Sequence, residues 1–171
     1  MKFSWTIQTL CFIFYKIVPR PLGAPSQAQL AALTDGWWKW IFSVDTSRQR
    51  NPFTSFFTGD CSVLLQPGNR IFLVGTASPG GGVQNHGTCN VPAKTSVLFS
   101  ILNSECSFFE FPTLTVQTMG EPFKQLRSCT DVSGANNSVA SLDGAPLKST
   151  RVQSRPGGFQ LTIVPNNPLA G

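Results

Sequence analysis

The chain has 171 residues, 41% of them apolar and only 12% charged, with 14 Phe and 4 Trp; this composition excludes a disordered polyelectrolyte and supplies one hydrophobic core. The formal charge of +5 shrinks to ten Lys and Arg against eight Asp and Glu from Gln29 onward. Those charges stand singly, so no phosphate-tracking groove and no nucleic-acid partner are expected.

The first 28 residues read as an export leader. Lys2 precedes a largely apolar stretch, Phe3 to Tyr15, followed by Lys16, Pro19, Pro21 and the small-residue site Ser26-Gln27-Ala28. The stretch is too short and too interrupted to span a bilayer, so no transmembrane span is expected. The expected organisation is therefore a leader over 1–28 and one disulfide-containing, β-rich domain over 29–171, secreted or held at the cell surface. Cysteine usage agrees with this, because Cys11 falls in the leader and leaves an even set, Cys61, Cys89, Cys106 and Cys129. Their spacings of 28, 17 and 23 residues are not those of a structural zinc site. Four cysteines allow three pairings; the sequence-local one, 61 with 89 and 106 with 129, is preferred.

From Gln29 to Val44, Leu30, Leu33, Trp37, Trp40, Ile41 and Val44 recur at helical spacing and predict one apolar side of an amphipathic helix. Trp38 and Lys39 fall elsewhere on that helix, which makes Trp38 a candidate exposed contact. Asp45 to Phe53 is a polar connection ending at Asn51-Pro52. Ser62–Gln66 and Arg70–Thr76 are strand candidates separated by Pro67-Gly68-Asn69, the pattern of a hairpin. The continuous apolar run Ile71 to Val74 predicts a central strand. Ala77 to Thr88, with Gly80-Gly81-Gly82 and His86, predicts a surface loop and lacks the spacing of a phosphate cradle.

Thr95–Leu102, Phe111–Gln117 and Phe159–Val164 are further strands, the last expected to follow a turn at Pro156-Gly157-Gly158. Thr130 to Ser141 is polar and contains Asn136-Asn137-Ser138, an N-glycosylation acceptor pattern. The order predicts a mainly β fold, a sandwich or jelly-roll-like domain with one amphipathic N-terminal helix packed on it. A helix against a single antiparallel sheet is the alternative.

No catalytic, cofactor or metal constellation stands out. His86 is the one imidazole, no G-x-S-x-G elbow is present, and paired cysteines offer no nucleophile. Asp60, Glu105, Glu110 and Asp131 are the carboxylates from which a secreted glycoside hydrolase would draw its acid and base, roughly 5–9.5 Å apart; as solvated turn residues they would do no chemistry. Trp38, Phe56, Phe57, Phe108 and Phe109 form the candidate contact surface. The expected function is an extracellular structural or binding module that acts through this apolar surface. Its expected partners are a second copy, a cell-envelope component or a glycan.

Several fragments in order, Gly36-Trp37-Trp38-Lys39-Trp40, Asn51-Pro52, Gly59-Asp60-Cys61, Phe72-Leu73-Val74-Gly75-Thr76, Cys89-Asn90-Val91-Pro92-Ala93-Lys94, Phe99-Ser100-Ile101-Leu102-Asn103 and Asp143-Gly144, carry a resemblance. Together they resemble an uncharacterised family of secreted proteins, mainly bacterial and archaeal, with a Trp-rich N-terminal helix and a Cys-containing β domain. The resemblance implies export and cysteine pairing and no activity. Gly87 and Thr88 stand where such proteins usually carry an arginine, and no glycine separates Ala93 from Lys94. The resemblance also implies a closing segment beyond Gly171 that this chain lacks.

Overall fold

The computed structural model describes residues 4–17, 25–52, 57–60, 70–73, 86–90, 96–107, 125, 141–142, 145–146, 150–153 and 158–169. The predicted strands over 62–66 and 111–117 lie outside these residues, as do the Gly80-Gly81-Gly82 stretch and the Asn136-Asn137-Ser138 pattern.

The elements run β1 (Ser4–Ile17), α1 (Gln27–Phe42), β2 (Phe57–Asp60), β3 (Arg70–Leu73), β4 (Gly87–Asn90), β5 (Ser96–Ser107), β6 (Ser141–Leu142), β7 (Ala145–Pro146), β8 (Thr150–Gln153) and β9 (Phe159–Thr162). Five of the strands form one mixed sheet in the order β3-β5-β1-β8, with β9 also paired to β1. Two small ladders stand beside it, β2 parallel to β4 and β6 antiparallel to β7.

The middle of the large sheet is β1. It runs antiparallel to β5 from Ile7 opposite Ser107 to Ile17 opposite Val97. On its other side it pairs with β8 through Cys11–Phe14 and with β9 through Ser4–Ile7. The segment read as the body of a leader is thus a strand in this structure. A short apolar run rich in Ile, Phe, Trp, Thr and Tyr suits a strand as well as a leader, and periodicity does not separate the two.

β8 and β9 run in the same direction along β1, end to end. Gln153 sits opposite Cys11 and Phe159 opposite Ile7, so six steps of one chain span four of the other. Residues 154–157, which include Pro156 and Gly157 of the expected turn, lie outside the described residues. Gly158 has φ 64°, a value that glycine adopts without steric cost.

The predicted Thr95–Leu102 strand is longer, reaching Ser107. Arg70–Leu73, predicted as a central strand of a hairpin, is instead parallel to β5 and outermost among the described strands of its sheet. A continuous apolar run reports that both faces are covered, not which neighbours flank the strand. The end of the predicted loop is also strand, since Gly87 (φ 78°) opens β4.

The predicted helix forms, shifted two residues toward the N-terminus. Ser26 caps it in a reciprocal box: its Oγ accepts from the Gln29 N–H at 3.2 Å, and the Gln29 Oε1 accepts from the Ser26 N–H at 2.8 Å. Gly36 lies inside the helix at up to ~1 kcal/mol relative to Ala, which burial of the neighbouring tryptophans offsets at ~1.5–3 kcal/mol per large side chain. The helix packs on β8 and β9. Leu30, Trp37, Trp38, Trp40, Ile41, Phe42 and Val44 share one core cluster with Val97, Leu98, Val152, Phe159 and Leu161. On β9 the pattern is clean, with Phe159 and Leu161 buried and Gln160 and Thr162 exposed.

Candidate functional site

The expected contact surface starts at Trp38, and there the structure corrects the sequence. Trp38 is only 4% exposed. Its ring stacks on Phe42, with centroids 5.5 Å apart and planes 22° off parallel, and meets Trp37 edge to face at 5.0 Å. Trp37 and Trp40 make a further edge contact at 6.2 Å. The reason lies in how much of the helix is covered. Counting ~100° per residue, the buried positions Leu30, Thr34, Asp35, Trp37, Trp38, Trp40, Ile41 and Phe42 occupy more than half of the circumference. Ala32, Lys39 and Ser43 line the exposed remainder. The tryptophans are core, not a platform for a ligand.

Phe57 opens β2, whereas Phe56, Phe108 and Phe109 lie outside the described residues. Cys89 stands on β4 and Cys106 near the end of β5, where it is buried and disulfide-bonded. Cys61 and Cys129 lie outside the described residues. Asp60 ends β2 opposite Asn90 of the parallel β4, and Glu105 belongs to β5 in the other sheet. The two carboxylates beside cysteines are therefore on different sheets. Glu110 and Asp131 lie outside the described residues. His86 immediately precedes β4 and is partly buried.

Two polar features escaped the sequence reading. The first is inside the aromatic face: Thr34 and Asp35 are 0% and 2% exposed. Thr34 satisfies its hydroxyl by donating to the Leu30 carbonyl at 2.9 Å. Asp35, Trp38 and Phe42 recur at i, i+3 and i+7, a second helix face that was legible in principle and hidden by the stronger Leu30–Trp37–Ile41 stripe.

The second is a clasp where the C-terminal segment closes over the end of the helix. The Asn167 amide, 6% exposed, donates to the carbonyls of Ile41 at 2.8 Å and Val44 at 3.0 Å, and its Oδ1 accepts from the Leu169 N–H at 2.9 Å. The Ile41 carbonyl belongs to the last turn of the helix, where no intrahelical donor follows, and Val44 comes just after the cap at Ser43. Val164 N–H donates to the Phe42 carbonyl at 3.3 Å, and the Asn166 carbonyl accepts from both Thr46 N–H and Thr46 Oγ. Asn166 has φ 58°, a left-handed value that asparagine tolerates better than most residues.

On the solvent side of the clasp, Asp45 Oδ1 accepts from the Ser47 N–H and Oγ and lies 3.5 Å from Asn166 Nδ2. Its Oδ2 is 3.5 Å from Arg48 Nε. The Ser47 hydroxyl and amide, with smaller help from Asn166 and Arg48, hold the Asp45 carboxyl below its ordinary value of 3.8. This carboxylate is occupied by local bonds, which suits a fastening role. Lys39, the one basic residue of the last helical turn, sits 5.8 Å above the Phe159 ring.

Among the described residues no group of three His, Cys, Asp or Glu could hold a metal ion, and no helix is long and apolar enough to cross a membrane. No family model, no curated protein and no solved structure matches the chain.

Proposed function

We propose that this chain is an extracellular structural module that self-associates by β-strand pairing, with the secreted family described above as its relatives and an N-terminal segment that carries export information and stays attached to the body as β1. The observation that carries this proposal is the edge formed by the C-terminal strand. β9 is paired to β1 on one side and is outermost among the described strands on the other. An outer strand presents a row of backbone donors and acceptors to any chain that can continue the ladder. The aromatic residues on the helix serve the core, so the strand edge replaces the tryptophans as the contact element.

The proposed architecture is a sandwich or jelly-roll-like body. Successive strand residues face opposite sides of a sheet, and both members of two adjacent pairs on β5 are buried, Val97 with Leu98 and Cys106 with Ser107. Cover on both faces is what a second layer supplies. The proposed disulfides are 61–89 and 106–129. Light scattering on the oxidised full chain over a tenfold concentration range tests the function. A discrete multimer supports self-association, and a species of one chain mass throughout overturns it.

A further inference from the structure

We infer that β9 pairs with β9 of a second copy, Phe159–Ile163 of one running antiparallel to Phe159–Ile163 of the other about a two-fold axis at Leu161. The inference rests on the self-association proposed above and deepens it by naming the strand, the direction and the register.

The ends of the strand set the length of the ladder. Gly158, with φ 64°, takes the chain out of extended backbone just before Phe159. At the other end the Val164 N–H is already given to the Phe42 carbonyl at 3.3 Å, and Pro165 has no N–H to give. Five residues, Phe159 to Ile163, lie between. β9 is bonded to β1 through Ser4–Ile7 and has no second neighbour among the described strands. Residues directly opposite in an antiparallel ladder face the same side of the sheet, so a two-fold axis normal to the sheet passes between one residue and its own copy. Leu161 is the middle of the five, and an axis there engages the whole segment.

That register pairs like with like. Leu161 meets Leu161 and Phe159 meets Ile163; Phe159 and Leu161 are buried in the core cluster and Ile163 is partly buried against it. Gln160 meets Thr162 on the exposed face. The apolar row of one copy therefore continues into the apolar row of the other. What selects a second copy as the occupant is this symmetry of polarity about Leu161, together with the absence of any Lys, Arg, Asp or Glu from Pro156 to Gly171. A two-fold axis brings a charge toward its own like, and here there is none to repel. Edge strands that stay single are blunted by charges or prolines; these five residues contain neither.

Charge placement tests the register. Gln160 and Thr162 are exposed and stand opposite the uncharged Thr6 and Ser4 of β1, so the full-length chain accepts charges there. One variant carries Gln160→Lys and Thr162→Lys, which sets two like-charge pairs across the axis. The other carries Gln160→Lys and Thr162→Glu, which sets two opposite-charge pairs at the same positions. Sedimentation of the oxidised proteins reads the dimer. The first variant should dissociate roughly tenfold more readily than the parent, and the second should hold at least as tightly as the parent. A dimer of parent strength in both variants overturns this ladder and leaves self-association through another edge. Weakening of both overturns the axis at Leu161. A parent of one chain mass at every concentration overturns the ladder and self-association alike.

Amide hydrogen exchange on the unsubstituted chain keeps the test independent of how the variants fold. A peptide covering 158–164 should exchange more slowly in the dimer than after dilution to single chains, while 96–107 stays unchanged. Equal exchange of 158–164 in the two states overturns the ladder.

Discussion

Replacing Asn167 with Ala should loosen the helix end and the C-terminal segment together. Asn167 is nearly buried and makes three bonds of 2.8–3.0 Å, to the carbonyls of Ile41 and Val44 and from the N–H of Leu169. The Ile41 carbonyl keeps a 3.3 Å bond from Val44 N–H after the change, so its loss is partial. The Val44 carbonyl and Leu169 N–H lose these partners outright. At ~1–3 kcal/mol for a buried group left unsatisfied, the Val44 carbonyl sets the expected cost at about 1–3 kcal/mol, because the exposed Leu169 N–H can turn to water. With an m value of about 2 kcal/mol/M in urea, the midpoint should fall by about 0.5–1.5 M. Tryptophan fluorescence reads the transition, because Trp37 and Trp40 lie in the core next to the clasp. Asn166→Gly serves as the control: glycine accepts φ 58°, and the change should cost under about 1 kcal/mol. A midpoint for Asn167→Ala within about 0.3 M of the parent would refute the clasp as a source of stability.

Trp38→Ala should cost ~3–5 kcal/mol, as expected for a large core truncation, and should show as a lowered unfolding temperature; an unchanged transition would return Trp38 to the surface. Asp45 contributes through a depressed folded pKa, so its stabilisation is present above 3.8 and lost as the pH falls through the lower folded value. Asp45→Asn should accordingly lie below the parent in urea midpoint at pH 6, with the gap closing as the pH falls below 3.8 and through the lower folded value; a gap independent of pH contradicts this. Peptide mapping of the non-reduced, secreted protein should yield the links 61–89 and 106–129, and four alkylatable thiols would contradict paired cysteines.

The helix was legible because its apolar residues recur at helical spacing and outweigh Gly36, and its start was displaced because Ser26 suits a cleavage site as well as a cap. Phe159–Thr162 was legible from simple alternation between buried and exposed residues. Less visible was anything that depends on which strands are neighbours. The Ile71–Val74 run says that a strand is covered, and cannot say that Arg70–Leu73 is parallel to β5 and outermost among the described strands. Nor does the alternation of Phe159–Thr162 say that this strand shares one side of β1 with β8, end to end. Trp38 was misplaced because a helix covered on more than one side has no single apolar stripe. Asn167, flanked by Pro165, Asn166 and Pro168, looked like an ordinary turn; its role follows from a contact across more than 120 residues of chain, which no local pattern encodes.

Ser4–Ile17 is the middle strand of the sheet, bonded to β5 on one side and to β8 and β9 on the other. Amide hydrogen exchange on the oxidised full chain, read by mass spectrometry on peptides covering 4–17 and 96–107, tests it most directly. A strand bonded on both sides is expected to open only with the body of the fold. The two peptides should exchange with comparable slowness. Exchange of 4–17 at the rate of an unstructured chain, while 96–107 stays protected, would contradict it.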